Sequence, residues 1–223
     1  QLNSNGNSII TRSKMGFEFV ENQKMTDGFK IINSEINSED TKWEQPWGEF
    51  KIIKNQHTKL TVHLQEISGE KRLVDIIFKV FNDGLGFRYH FPEQPNLNEV
   101  KISNELTEFS FPEEHNVWWI PVHSDNSYYE SLYKKSPISK TDTINTPATF
   151  ETKDGMYLAI HEANLTDFAS MTLRYSGQNR FQSELVPWAD GVKVYAKTPF
   201  NTPWRTIIVA ENPGELVTST LML

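Results

Sequence analysis

Leu60-Thr61-Val62-His63-Leu64-Gln65, Val74-Asp75-Ile76-Ile77-Phe78-Lys79-Val80 and Phe87-Arg88-Tyr89-His90-Phe91 together form the stretch that decides the fold. Leu60, Val62 and Leu64 recur every second residue, as do Val74, Ile76, Phe78 and Val80, then Phe87, Tyr89 and Phe91. That period places apolar side chains on one face of an extended strand and polar ones on the other. Ser68-Gly69-Glu70 and Asn82-Asp83-Gly84 separate the runs with residues suited to turns, so the stretch predicts a meander of antiparallel strands. His63 and His90 fall on the polar faces and read as solvated strand histidines.

Further strands are expected on both sides of this meander. Ser8-Ile9-Ile10-Thr11, Phe17-Glu18-Phe19-Val20 and Val100-Lys101-Ile102 are short ones, and Val117-Trp118-Trp119-Ile120 is an apolar run stopped by Pro121. Met171, Leu173 and Tyr175 alternate, as do Val192, Val194 and Ala196, and Leu216 to Leu223 reads as a final strand. Asn33 to Asp40 has no apolar period and is expected to be a surface loop or a weak strand. Trp43-Glu44-Gln45-Pro46-Trp47 is expected to be a corner packed under a sheet, because Pro46 forbids a central-strand position and Trp buries much area. Ser124 to Lys135 is the one stretch with helical spacing, through Tyr128, Tyr129, Leu132 and Tyr133. The fold class is therefore all-β: one large antiparallel β-sandwich with little helix, a single domain over residues 1–223.

Composition narrows the function. The net charge of −7 argues against a nucleic-acid partner, whose phosphates call for concentrated Lys and Arg. The absence of Cys removes disulfides, thiolate catalysis and zinc–thiolate sites. No apolar run is long enough to span a bilayer as a helix, and Gln1-Leu2-Asn3-Ser4-Asn5 is not a signal peptide. Glu113-Glu114-His115 reads as a solvated loop rather than a metal cluster, since adjacent residues of an extended chain point in alternating directions.

One strand breaks its own pattern. In Asp154-Gly155-Met156-Tyr157-Leu158-Ala159-Ile160-His161-Glu162, the alternation of Met156, Leu158 and Ile160 brings Glu162 onto the apolar face. A carboxylate there is costly unless it is compensated, so either the strand ends before Glu162 or Glu162 has a partner. His161 points to the other face. Thr198-Pro199-Phe200-Asn201-Thr202-Pro203-Trp204-Arg205 forms a bent approach to a strand that starts with Trp204 and Arg205. Arg205 is either a donor fork aimed at a carboxylate such as Glu162 or a surface ion pair.

Five motifs in order, Trp43-Glu44-Gln45-Pro46-Trp47-Gly48-Glu49, Phe81-Asn82-Asp83-Gly84-Leu85-Gly86-Phe87-Arg88-Tyr89, Glu105-Leu106-Thr107-Glu108-Phe109, His161-Glu162-Ala163 and Thr198 to Thr206, resemble the N-terminal domain of glycoside hydrolase family 97. The resemblance implies a bacterial, calcium-dependent α-glucosidase or α-galactosidase, periplasmic or secreted, acting on α-linked oligosaccharides. It implies a following (β/α)₈ barrel, absent from this chain, that carries both catalytic carboxylates, so that the chain alone is inactive. By motif, Glu162 is the ligand this domain lends to the calcium, while Trp204 and Arg205 are candidate substrate-binding residues. Two alternatives stand beside this: a free-standing carbohydrate-binding module using Trp43, Trp47, Trp118 or Trp119 as a stacking platform, and a structural scaffold in which Glu162 has only hydrogen-bond partners.

Overall fold

The computed structural model describes residues 1–122 and 130–223. Its main layer is a ten-stranded sheet built on the expected meander: Phe29–Glu44, Ile52–Glu66, Leu73–Phe81 and Gly84–Phe91 pair in sequence, each antiparallel to the next. Beyond Gly84–Phe91 the sheet continues through Trp204–Ala210, Tyr157–Ala163, Ala148–Glu151, Asn116–Trp119 and Lys134–Pro137, and the tenth strand, Phe200–Asn201, also pairs with Gly84–Phe91. Two four-stranded sheets form the facing layer. One joins Val194–Lys197, Glu99–Glu105, Phe17–Phe19 and Lys24–Met25, and the other joins Glu108–Ser110, Arg180–Leu185, Met171–Tyr175 and Thr143–Asn145. The fold is thus an all-β sandwich, as the alternation requires.

The core lies between the layers. Tyr89, Phe91, Leu158 and Ile160 from the large sheet meet Phe17, Ile102, Leu173 and Phe181 from the small ones, all at most 2 % exposed. Edge-on ring contacts such as Phe17 to Tyr89, with centroids 4.7 Å apart, add to the area they bury. Gly84 is required where its strand approaches the Trp204–Ala210 strand: its φ is +155°, and a Cβ there would lie 2.2 Å from the carbonyl oxygen of Ile207.

Of the two forms expected for Asn33 to Asp40 the strand is the one found: it belongs to a sixteen-residue edge strand, Phe29–Glu44, paired along its length with Ile52–Glu66. Nearly all of it is exposed on both faces, so there was no buried face to impose an apolar period. The Trp43 to Trp47 segment is the tip of that hairpin rather than a packed corner, with Trp47 83 % exposed. The end of the chain is a helix, Pro213–Thr218, not a strand. Asn212 caps it by accepting from the Glu215 N–H, and Glu215 accepts from the Glu211 N–H and from the Asn212 side chain. Of the helix expected over Ser124 to Lys135, residues 124–129 lie outside the described residues, while 130–133 are in no helix or strand and Lys134 and Lys135 begin a strand.

His115 also departs from its solvated-loop reading: it is buried against Phe111, with centroids 5.2 Å apart, while Glu113 and Glu114 stay exposed. Burial pushes its pKa down. His63 is half-buried, with Nδ1 2.7 Å from an Asp75 carboxylate oxygen.

Candidate site at a buried carboxylate pair

The Tyr157–Ala163 strand carries Leu158, Ile160 and Glu162 on its inner face, so the pattern break seen in the sequence is real: Glu162 enters the sandwich interior at the strand's end. Arg205 lies directly opposite it on the neighbouring antiparallel strand, and opposed residues of such a pair point to the same face. The Arg205 Nη1 donates to Glu162 Oε2 at 2.7 Å. Its Nε and Nη2 donate to the two oxygens of Glu105 at 2.9 and 2.5 Å, a bidentate fork.

Glu105 ends the Glu99–Glu105 strand of the facing layer, so the three side chains tie one layer to the other. Glu162 Oε1 accepts the backbone N–H of Met171 at 3.0 Å, from the second small sheet. That bond closes the loop from Asn164 to Ser170, in which Asn164 and Asp167 hold left-handed backbone conformations. Phe168 of the loop lies over the guanidinium, 5.8 Å from Cζ to the ring centroid. Nearby, the Tyr89 hydroxyl and Thr107 Oγ1 form a buried hydrogen bond at 2.7 Å. Burial and the Glu105 carboxylate push the Tyr89 phenol well up.

The charges do not cancel: two carboxylates face one guanidinium. The side chains of Arg205 and Glu105 are 0 % exposed and that of Glu162 is 6 % exposed, so Glu162 is the outermost member. Burial raises the Glu162 pKa despite Arg205 and the Met171 N–H, which both favour the anion. For Arg205 burial opposes the charged form, and Glu105 and Glu162 more than reverse it.

One sequence reading is settled here. Arg205 is not a surface ion pair but the donor fork: its guanidinium is enclosed and both ends of the fork are committed to carboxylates, one of them Glu162. Glu105 was missed as part of this cluster: the alternation of Val100 and Ile102 assigns it to the outer face, but the register shifts by one residue between Ile102 and Asn104 and turns Glu105 inward.

The other face of the same strands carries Trp204, whose indole lies 4.5 Å from the Arg88 Cζ and 5.3 Å from the Lys79 Nζ. Trp204 borders a pocket of about 350 Å³ that also reaches Ala163 and Asn164, at the end of the Glu162 strand. Among the described residues no group of three or more His, Cys, Asp or Glu side chains is placed to hold a metal. A cation at Glu162 therefore needs further ligands from elsewhere.

The family model for the N-terminal domain of glycosyl-hydrolase 97 matches residues 1–223. The chain belongs to this family. The glycoside hydrolase family 97 enzyme of Pseudoalteromonas sp. strain K8, solved with acarbose and, as a variant, with panose, is similar to this family 97 domain with a TM-score of 0.92 and 38 % identity. That match covers 96 % of this chain and 33 % of that one, so the family 97 domain described here spans about a third of the enzyme's length. A β-arabinopyranosidase matches with a TM-score of 0.83 at 24 % identity, over 93 % of this chain and 36 % of its own. A family 36 α-galactosidase of Geobacillus stearothermophilus matches with a TM-score of 0.56 at 10 % identity, over 94 % and 31 %. At those identities the last two share the fold alone with the family 97 domain.

Proposed function

We propose that this chain is the N-terminal sandwich of a calcium-dependent glycoside hydrolase that cleaves α-glycosidic bonds, an α-glucosidase or α-galactosidase. Glu162 lends one carboxylate to a calcium ion whose other ligands come from a following (β/α)₈ barrel, and Trp204 contributes to the wall of the substrate pocket. The observation that carries this is the surplus negative charge of the Glu105, Arg205 and Glu162 cluster, with Glu162 at its outer edge. Each Glu162 oxygen accepts one hydrogen bond within the chain, and a carboxylate oxygen has two lone pairs, so both retain acceptor capacity. A hard divalent cation takes such oxygens and offsets the charge that burial disfavours. When bound, calcium supplies electrostatic stabilisation to a substrate oxygen.

This chain's own residues do the preparatory work. Arg205, itself anchored by Glu105, fixes the Glu162 carboxylate from one side, and the Met171 N–H fixes it from the other. The Pseudoalteromonas enzyme's complexes with acarbose and, as a variant, with panose support an α-linked oligosaccharide substrate. The catalytic acid and the base or nucleophile belong to the barrel, which makes the isolated chain inactive; membership of family 97 supports a periplasmic or secreted parent enzyme. Calcium titration of the parent enzyme carrying Glu162→Gln tests the assignment. Weakened calcium affinity together with lowered turnover is expected, whereas unchanged calcium dependence and unchanged turnover would remove Glu162 from the metal site.

A further inference from the structure

Thr146 stands where the chain passes from one layer to the other, between the Thr143–Asn145 strand of a small sheet and the Ala148–Glu151 strand of the large one. It is buried, and its hydroxyl meets two groups. Oγ1 donates to the Met171 carbonyl oxygen at 3.1 Å and lies 3.1 Å from the His161 Nδ1. A threonine hydroxyl has one hydrogen to give. With that hydrogen on Met171, Oγ1 accepts from His161, so the neutral imidazole carries its proton on Nδ1.

These contacts converge on the residue that already holds Glu162. Met171 gives its N–H to Glu162 Oε1 and takes the Thr146 hydroxyl on its carbonyl, so both polar ends of its backbone are held by side chains. Met171 is also the first residue of its strand, where the loop from Asn164 to Ser170 ends. The register keeps the parts together: Asn145 pairs with Thr172 in the small sheet, and Ala148 pairs with Ile160 in the large one. His161 faces away from Glu162 along their strand, yet a chain of bonds runs round the strand's end from His161 to Thr146, to Met171 and to Glu162. Arg205 holds the other oxygen of that carboxylate.

We propose that Thr146 is a positioning residue for the Glu162 carboxylate, acting through the Met171 backbone, with His161 setting the direction of the hydroxyl. Its consequence for function rests on the reading of Glu162 as a calcium ligand. Groups that orient a metal ligand from behind are worth about 10–100-fold in metal affinity, and Thr146 acts one bond further back.

Two variants and one measurement on the unaltered chain test this. Thr146→Val keeps the side-chain shape without the hydroxyl, and Thr146→Ser keeps the hydroxyl. In the 223-residue chain Thr146→Val is expected to speed hydrogen exchange of the Met171 N–H about fivefold, the scale of one hydrogen bond, with the Gly84–Phe91 amides unchanged. In the parent enzyme it is expected to weaken calcium binding about tenfold. Thr146→Ser is expected to restore both. Nitrogen chemical shifts of the neutral His161 ring in the wild-type chain are expected to place its proton on Nδ1. A proton on Nε2 would draw the Thr146 hydrogen away from Met171 and overturn the proposal. Unchanged Met171 exchange in Thr146→Val, or equal losses in Thr146→Val and Thr146→Ser, would also overturn it. Wild-type calcium affinity in Thr146→Val beside weakened affinity in Glu162→Gln overturns it too, and leaves Glu162 in the metal site. Unchanged affinity in Glu162→Gln marks failure of the calcium reading itself, and the Met171 exchange then still decides the positioning.

Discussion

Replacing Arg205 by Met removes the one cation of the inter-layer cluster while keeping an apolar stem in place of the first part of its side chain. Three hydrogen bonds disappear, at 2.9, 2.5 and 2.7 Å, and the Glu105 carboxylate, 0 % exposed, keeps no counter-charge. Breaking a buried ion pair from one side costs about 3–5 kcal/mol, mostly as the penalty of the stranded charge. A domain is ordinarily stable by only about 5–15 kcal/mol, so Arg205→Met is expected to leave the chain close to unfolding. Guanidinium denaturation followed by fluorescence measures this as a fall in the midpoint at unchanged slope. The second step separates charge from packing. Adding Glu105→Gln to Arg205→Met removes the stranded carboxylate, so the double variant is expected to recover part of the loss, a coupling visible in a double-mutant cycle. A loss below about 1 kcal/mol for Arg205→Met, or a double variant less stable than Arg205→Met alone, would refute the picture of a buried guanidinium compensating two acids.

Glu162→Gln removes the surplus charge, but its single amide oxygen can replace only one of the two carboxylate oxygens that accept from the Met171 N–H and the Arg205 Nη1; the two effects oppose each other, and the denaturation midpoint of the isolated chain is expected to fall only slightly. A large fall would show that the charge itself is needed for folding. His57, with a side chain 0 % exposed and a pKa pushed down by burial first and by Lys79 second, stays neutral when folded. Its contribution is present above the ordinary imidazole pKa of about 6.5 and is lost as pH falls from there through the lower folded value. His57→Phe should therefore flatten the decline of thermal stability between pH 7 and 5, and an unchanged slope would count against it. Asn212→Ala removes the cap of the Pro213–Thr218 helix and is expected to cost about 1 kcal/mol, read as faster amide exchange confined to that segment.

What the sequence made legible depended on whether an element has two unlike faces. The meander from Leu60 to Phe91 has one face in the core and one outside, so its period is two and its pairing could be written down from the residues. The outermost strand, Phe29–Glu44, is exposed on both faces over nearly all its length, and a strand without an inside carries no period to read. The terminal helix was a failure of a different kind. Asn212-Pro213-Gly214-Glu215 carries a cap, a first-turn Pro and an acid three residues on, but the apolar letters after it, Leu216 and Val217, outweighed those short-range signals. His115 was misjudged because two acidic neighbours suggested solvent, while Phe111 and the chain beyond brought the ring inward.

The candidate site was half legible for the same reason. Glu162 declared itself by arriving on an apolar face, and a buried carboxylate asks for a partner. Alternation along one strand, however, says nothing about the residue opposite in a strand some forty positions away, so Arg205 stayed suspended between a surface pair and a buried fork. Glu105 lies still further off in sequence, on the other layer, and only the closing of the sandwich brings it to the same guanidinium. The ordering of the three side chains then follows from charge. The enclosed acid takes the bidentate half of the fork, leaving a single nitrogen for Glu162. The carboxylate with the weaker hold on the cation is thereby the one nearest solvent, where further positive charge is the most direct way to lower its energy.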